Sequence, residues 1–253
     1  MVSPGKVAFT VFGVEIMWYG ILISLAMLLA CFIVYKQAPR YKINQDDLMT
    51  AFIVCIPLGI IGARAYYIAF NWDAYAGDWM KMLNFRGGGL AIHGGLLLGL
   101  GAAAIFCSAK RISGKDLLDL VAPAIALAQA IGRWGNFFNE EAHGATTNFP
   151  IHVLIDGQAY HATFLYESIW CLLLFVFLSL LSYKRKFPGQ IFLLYAILYS
   201  VERFFVEALR TDSLMIGMFK QAQILSLAVF IIGIVFYGIL ARREKHKTYY
   251  YYN

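Results

Sequence analysis

Apolar residues fall in seven blocks, roughly 14–35, 48–70, 89–109, 117–138, 164–183, 189–208 and 219–240, divided by short polar segments. Each block is close to the ~20 residues that a helix needs to cross a bilayer. The pattern predicts an all-α integral membrane protein of seven transmembrane helices. The fourth block is the least regular, because Asp119, Pro123, Gln129 and Arg133 interrupt it. The first is too long for the apolar region of a signal peptide and lacks a small-residue cleavage site, so it is read as a span.

Composition agrees: 60% of the 253 residues are hydrophobic and 14% are charged, against about 25% charged in soluble domains. No linker-like, low-complexity or repeated segment divides the chain. The expectation is one polytopic membrane domain over residues 1–253. Cys31, Cys55, Cys107 and Cys171 each lie in an apolar block without metal-binding spacing, and read as buried free thiols.

Charge orients the chain. One set of connections holds Lys36, Arg40 and Lys42; Lys110, Arg111 and Lys115; Lys184, Arg185 and Lys186; and Arg242, Arg243, Lys245 and Lys247. The opposite set holds Lys6, Lys81, Arg86, Arg210 and Lys220, giving 13 against 5. Positive residues stay inside, so the C-terminus is expected in the cytoplasm and the N-terminus outside. The net charge of +6 then reflects topology and anionic lipid, not nucleic acid. The longest connection, residues 139–163, falls outside as a small external cap, and "VLIDGQAY" within it reads as a hairpin turning at Asp-Gly.

Position converts to depth at about 1.5 Å per helical residue. Arg64 and Arg133 each lie roughly 24 Å into spans that start inside. Arg203 and Glu207 lie roughly 21 and 27 Å into the sixth. Tyr19 and His93 lie about 6–8 Å below the outer edge, and Glu167 is shallower. Polar residues from six spans thus share the outer third of the bilayer. Ionisable groups at such depth cost several kcal/mol unless they face a polar cavity or one another. A single polar cavity near the outer leaflet accounts for all of them.

Local spacing supports this. Tyr199, Arg203 and Glu207 share one helical face, as do Arg133 and Asn136. "GGGLAIHGGLLLGLG" places glycines on both sides of His93, where helices or lipid can approach the backbone. Each residue also has a plainer reading. Arg203 and Glu207 could be an ion pair joining helices, His93 a structural histidine, and Arg64 a snorkelling cation. The glycine run lacks the GK[ST] ending of a phosphate loop and a strand before it.

Two or three arginines in a lipid-accessible pocket suit a phosphate, which the guanidinium fork binds bidentately. No Ser-His-Asp arrangement, metal cluster or HExxH motif is visible. Transfer to an external nucleophile fits better than hydrolysis by a resident one: the arginines would stabilise a departing phosphate and a base would help the incoming group. A transporter for an anionic solute, or a non-catalytic lipid-binding protein, would use similar residues. A transporter, however, places its site near the midplane with polar groups accessible from both sides, whereas the inner half of this chain is nearly bare.

"GRWGNFFNEE" (132–141) resembles the GRxGNFxNxE motif of the bacterial prolipoprotein diacylglyceryl transferases. "WYG" (18–20), "GARAYY" (62–67), "HGG" (93–95), "HATFLYE" (161–167) and "YSVERFFVEALR" (199–210) agree in the same order, so the resemblance runs from about residue 15 to 240. It implies seven spans with the N-terminus outside. It also implies transfer of the diacylglyceryl group of phosphatidylglycerol to the lipobox cysteine of a prolipoprotein signal peptide, releasing glycerol 1-phosphate with no metal or soluble cofactor. By the same resemblance Arg133 and Arg203 are the essential arginines. Asn136 and Glu141 line the site, joined by Arg64, Gly94 and Glu167. Glu207 orients Arg203, Tyr19 and Tyr199 lie near the lipid head group, and His93 is a base for the thiol. The family often has His-Pro before "TFLYE", where this chain has His161-Ala162.

Overall fold

The computed structural model describes residues 1–253 except Arg86, Gly87, Asp212 and Asn253, and only the backbone of residues 246–252. Arg86 and the Lys247 side chain, both counted in the charge balance, lie outside the described residues. A hairpin of β1 (Val7–Val11) and β2 (Val14–Met17) leads into α1 (Trp18–Gln37), α2 (Gln45–Phe70), the short α3 (Trp79–Leu83), α4 (Ile92–Lys110) and α5 (Gly114–Asn139). A second hairpin, β3 (His152–Ile155) and β4 (Gln158–His161), precedes α6 (Thr163–Ser182) and α7 (Gln190–Leu209). A third, β5 (Met215–Ile216) and β6 (Phe219–Lys220), opens α8 (Gln221–Tyr252).

Every apolar block corresponds to a long helix, and the chain is mostly helical. Among the described residues, six helices are long and apolar enough to cross a membrane, which makes this a multi-pass membrane protein. The remaining long helix, α7, differs for a chemical reason: Glu202, Arg203 and Glu207 fall in every 18-residue window of it. The irregular fourth block is one continuous helix, and Pro123 sits buried inside it. The expected Asp-Gly turn is present. Asp156 and Gly157 have φ of 49° and 79°, and His152 to Ile155 pair with His161 to Gln158. Sequence reading missed the first and third hairpins, because β2 had been absorbed into the first block and β6 into the last.

The chain forms two compact units, Tyr35–Leu117 and the remainder. In the first, α2 and α4 cross through glycines. A Cβ on Gly62 would strike the Gly94 carbonyl, and one on Gly94 would strike Gly62 and the Tyr66 side chain. Gly59, Gly95 and Gly99 continue the contact. Asn44 caps α2 by accepting from the Asp46 amide at 2.7 Å, and Lys110 pairs with Asp47 at 2.7 Å.

In the second unit, Ala122 and Ala126 of α5 pack with Leu174 and Leu178 of α6 and Ile191 and Tyr195 of α7. Small residues on α5 allow this close approach. Asp119 joins the beginnings of α5 and α7. It is fully buried, and its carboxylate accepts from the amides of Gly189 (2.7 Å) and Phe192 (2.9 Å) and from Arg185 (3.0 Å). These amides belong to the first turn of α7, which has no partners of its own within the helix. A carboxylate from a neighbouring helix therefore caps α7. Arg133 follows Asp119 by fourteen residues and Arg203 follows Gly189 by fourteen. The Asp119 anchor thus places both arginines about 21 Å further along their helices, at one level.

Candidate functional site

At that level Glu167, in the second turn of α6, stands between the two arginines. It is 1% exposed. Its Oε2 pairs with Arg133 Nη2, and its Oε1 lies 3.3 Å from Arg203 Nη1. Arg203 Nη2 lies 2.6 Å from Glu207 Oε2, an ion pair by distance without an aligned hydrogen bond. Arg133 Nη2 also donates to the Tyr199 hydroxyl at 3.3 Å. Both arginine side chains keep 19% exposure while Glu167 and Glu207 are almost fully covered. The result is a chain of four charges, Arg133–Glu167–Arg203–Glu207, with the cations partly exposed and the anions covered. Breaking a buried ion pair by removing one partner typically costs 3–5 kcal/mol. Glu167 therefore fixes both guanidiniums, and both stay partly exposed.

Aromatic and polar packing holds this arrangement from below. Tyr199 stacks on Tyr195 with centroids 5.7 Å apart, and Tyr195 donates to Gln129 at 2.9 Å. One turn along α5, Trp134 Nε1 donates to Ser168 Oγ (3.1 Å), which in turn donates to the Ala130 carbonyl (2.8 Å). Ser168 follows Glu167, so these bonds fix the start of α6 against α5. Tyr19, in the first turn of α1, lies against Gly135, where a Cβ would penetrate its ring. At the far end of α7, Lys220 donates to the carbonyls of Glu207 (2.8 Å), Ala208 (3.2 Å) and Arg210 (2.5 Å). A cation at a helix C-terminus is favourable both as a donor and against the helix dipole.

The motif that ends α5 folds around Glu141. Its Oε1 accepts from Asn136 Nδ2 (3.0 Å) and Asn139 Nδ2 (3.2 Å), while its amide donates to the Asn136 carbonyl (3.0 Å). Glu140 and Ala142 both carry positive φ, 55° and 56°, so the chain turns sharply on each side of Glu141. Thr163 Oγ1 donates to the Ala142 carbonyl (2.5 Å) and ties the turn to α6.

Arg133, Asn136, Glu141, Glu167, Tyr19, Tyr199, Arg203 and Glu207 thus share one unit. Arg64, His93 and Gly94 belong to the other. Arg64 is 4% exposed, and its guanidinium donates to the carbonyls of Met82 (2.9 Å), Gly88 (2.7 Å), Gly89 (3.0 Å) and Lys81 (2.7 Å), above the Tyr75 ring. In this position it shapes the segment after α3 rather than facing outward. Gly94 is buried in the α2–α4 crossing. His93, at the start of α4, is exposed, with its ring 6.1 Å from that of Tyr66. Sequence reading overlooked Glu202, which is buried beside the cluster, and took Asp119 and Lys220 only as charges. The signal for Glu202 was available: it follows Tyr199 by three residues and so shares its side of α7.

The family model described as "Prolipoprotein diacylglyceryl transferase" matches residues 6–239. The chain is 48% identical over 242 residues to the phosphatidylglycerol–prolipoprotein diacylglyceryl transferase of Clostridioides difficile, covering 96% of this chain and 98% of that one. The enzyme of that name from Finegoldia magna is 46% identical over 231 residues (91% and 93% covered), and that from Clostridium novyi 46% over 252 residues (96% and 97%). Matched by that model over nearly its whole length and by relatives covered almost end to end, the chain belongs to the prolipoprotein diacylglyceryl transferase family and is a transferase of lipoprotein maturation.

Proposed function

We propose that this protein moves the diacylglyceryl group of phosphatidylglycerol onto the thiol of a prolipoprotein lipobox cysteine. The observation that carries the reading is the pair of partly exposed guanidiniums joined by the buried Glu167 carboxylate. A phosphodiester placed on their free N–H groups meets two fixed cations that need no reorganisation. The cysteine sulfur attacks the glyceryl carbon that bears the phosphate, and a carbon–sulfur bond forms. The carbon–oxygen bond breaks, and its electron pair leaves with glycerol 1-phosphate. Arg133 and Arg203 stabilise the charge gathering on that phosphate. Glu167 and Glu207 orient them, and Tyr199 orients Arg133. Asn136 and Glu141 line the approach with Tyr19 near the head group, and His93 is the base for the thiol by its match to the family motif. Gly94 and Arg64 support the reaction through the α2–α4 crossing and the segment after α3.

The same reading counts α7 as the sixth of seven spans, despite its charges, because Arg203 is paired with Glu167 and Glu207 within the unit. It places the N-terminus outside, the C-terminus in the cytoplasm, and residues 139–163 as a cap over one membrane domain. The site then opens to the outer leaflet of a bacterial inner or plasma membrane. The test is purified protein reconstituted with phosphatidylglycerol and a lipobox peptide, with thioether product read by mass spectrometry. Arg133→Ala and Arg203→Ala should each abolish product while the protein stays folded, and full activity in either would remove its assigned role. Arg→Lys at either position should also be severely impaired, because an ammonium cannot present the bidentate fork. Anion flux into vesicles without lipid chemistry would favour a transporter instead.

A further inference from the structure

Gln129 lies within α5 one turn before Arg133, about 6 Å further from the site along the helix. An amide side chain inside a membrane-spanning helix is costly unless a neighbouring helix meets it. The oxygen of Gln129 is met from two helices. It accepts from the Tyr195 hydroxyl of α7 at 2.9 Å and from the Cys171 thiol of α6 at 4.0 Å. One turn further along, α5 and α7 meet again, where Arg133 Nη2 donates to the Tyr199 hydroxyl at 3.3 Å. Residues 129 and 133 share a side of α5, and residues 195 and 199 share a side of α7. The Tyr195 and Tyr199 rings join the two contacts, with centroids 5.7 Å apart and planes 15° apart. The contacts form a closed circuit that leaves α5 at Gln129 and returns to it at Arg133.

The two arginines need this circuit unequally. Arg203 is paired with two carboxylates, Glu167 and Glu207. The carboxylate partner of Arg133 is Glu167, and its second contact is the Tyr199 phenol. A guanidinium held at one point can swing about it, and a second point stops that rotation. Tyr199 supplies the second point only while its own ring is held. That ring rests on Tyr195, which is buried and gives its one O–H to Gln129. We propose that Gln129 and Tyr195 are positioning residues of the transfer reaction: they hold the Tyr199 ring, and through it Arg133, where charge gathers on the departing phosphate. This rests on the role given to Arg133 above. Both residues act through Tyr199 rather than on the lipid.

The reconstituted assay tests it, with kcat taken per folded protein. Gln129→Met and Tyr195→Phe delete the same hydrogen bond and nearly keep the volume. Each should lower kcat about tenfold and leave KM within about twofold, because Arg133 is loosened where the transition state needs it. The double variant should be no slower than either single one, since both remove one bond. A second cycle separates positioning from general support of the fold. Tyr199→Phe already lacks the contact to Arg133, so adding Tyr195→Phe to it should cost no further kcat, whereas a structural defect would multiply the loss. If Gln129→Met fails to fold, Tyr195→Phe decides the result, because it removes one oxygen atom from an intact stack. Wild-type kcat in Tyr195→Phe, a rise in KM with kcat unchanged, or a further loss when Tyr195→Phe is added to Tyr199→Phe overturns the proposal. Full activity in Arg133→Ala overturns instead the reading of the site beneath it.

Discussion

Replacing Asp119 should damage the site from a distance of about 21 Å. The carboxylate is fully buried and serves three donors: the Gly189 and Phe192 amides and Arg185. A hydrogen bond to a charged group contributes about 1.5–3 kcal/mol, and removing one partner of a buried pair costs about 3–5 kcal/mol. Asp119→Ala strands two buried amides and removes the ion pair with Arg185, so we expect a loss of about 4 kcal/mol. Asp119→Asn keeps the shape and one acceptor and should lose about half as much. The functional effect follows from leverage. A tilt of α7 by about 5° about its start displaces Arg203 by roughly 2 Å at that distance, and a 1 Å misplacement can cost about a hundredfold in rate. The expected result for Asp119→Ala is therefore a fall of about 10²-fold in kcat/KM, with partial recovery in Asp119→Asn. Stability is read from tryptophan fluorescence during unfolding in mixed micelles of rising SDS fraction, and turnover from the reconstituted assay. A double-mutant cycle with Arg185→Met should show non-additivity of about 1–3 kcal/mol, because the two residues share one ion pair. Unchanged unfolding and unchanged turnover in Asp119→Ala would refute the anchor and the levelling of the two arginines by it.

Glu167→Gln removes the carboxylate shared by Arg133 and Arg203; product formation should fall about 10²- to 10³-fold, the range for losing one preorganised electrostatic element, and activity above a tenth of wild type counts against the shared-carboxylate role. Gly94→Ala places a methyl against the Gly62 carbonyl and the Tyr66 side chain; the α2–α4 crossing should lose about 1–3 kcal/mol, seen as a lower thermal midpoint, and an unchanged midpoint shows that the crossing yields freely. Arg64→Ala frees the carbonyls of Lys81, Met82, Gly88 and Gly89; limited trypsin digestion should cut faster after Lys81, whereas wild-type resistance there contradicts the clamp.

The helices were legible because burial in lipid needs only length and apolarity, which a linear pattern records. Even the block interrupted by Asp119, Pro123, Gln129 and Arg133, the least regular of the seven, is one continuous helix. Depth arithmetic also found the arginines, since distance along a helix is fixed by its rise. It could not find what each donor does. Arg64 and Arg133 have the same depth in sequence terms, yet one guanidinium is spent on four carbonyls and the other on a carboxylate and a phenol. Which partner a side chain meets depends on rotation about the helix axis and on the neighbouring helix, and neither is written locally. Glu167 illustrates the same point. It was placed at the correct end of α6 as a lining residue, but its position between two arginines depends on α5, α6 and α7 together. The turns at Val7–Met17 and Met215–Lys220 were missed because short apolar strands next to an apolar helix look like more helix.

The charges on α7 also bear on how the protein is made. In the seven-span arrangement proposed above, a helix carrying Glu202, Arg203 and Glu207 in its C-terminal half would enter lipid against a cost for each ionised residue, of which about 2.5–3.5 kcal/mol at the helix centre is the upper end. Arg203 finds its partner Glu167 on α6, and Glu167 in turn holds Arg133 on α5. Both precede α7 in the chain, so during synthesis a waiting counter-charge is already in place when α7 emerges. Membrane insertion of α7 is then a templated step, completed by the helices before it, and the cluster read as catalytic is also what admits the sixth long apolar block into the bilayer.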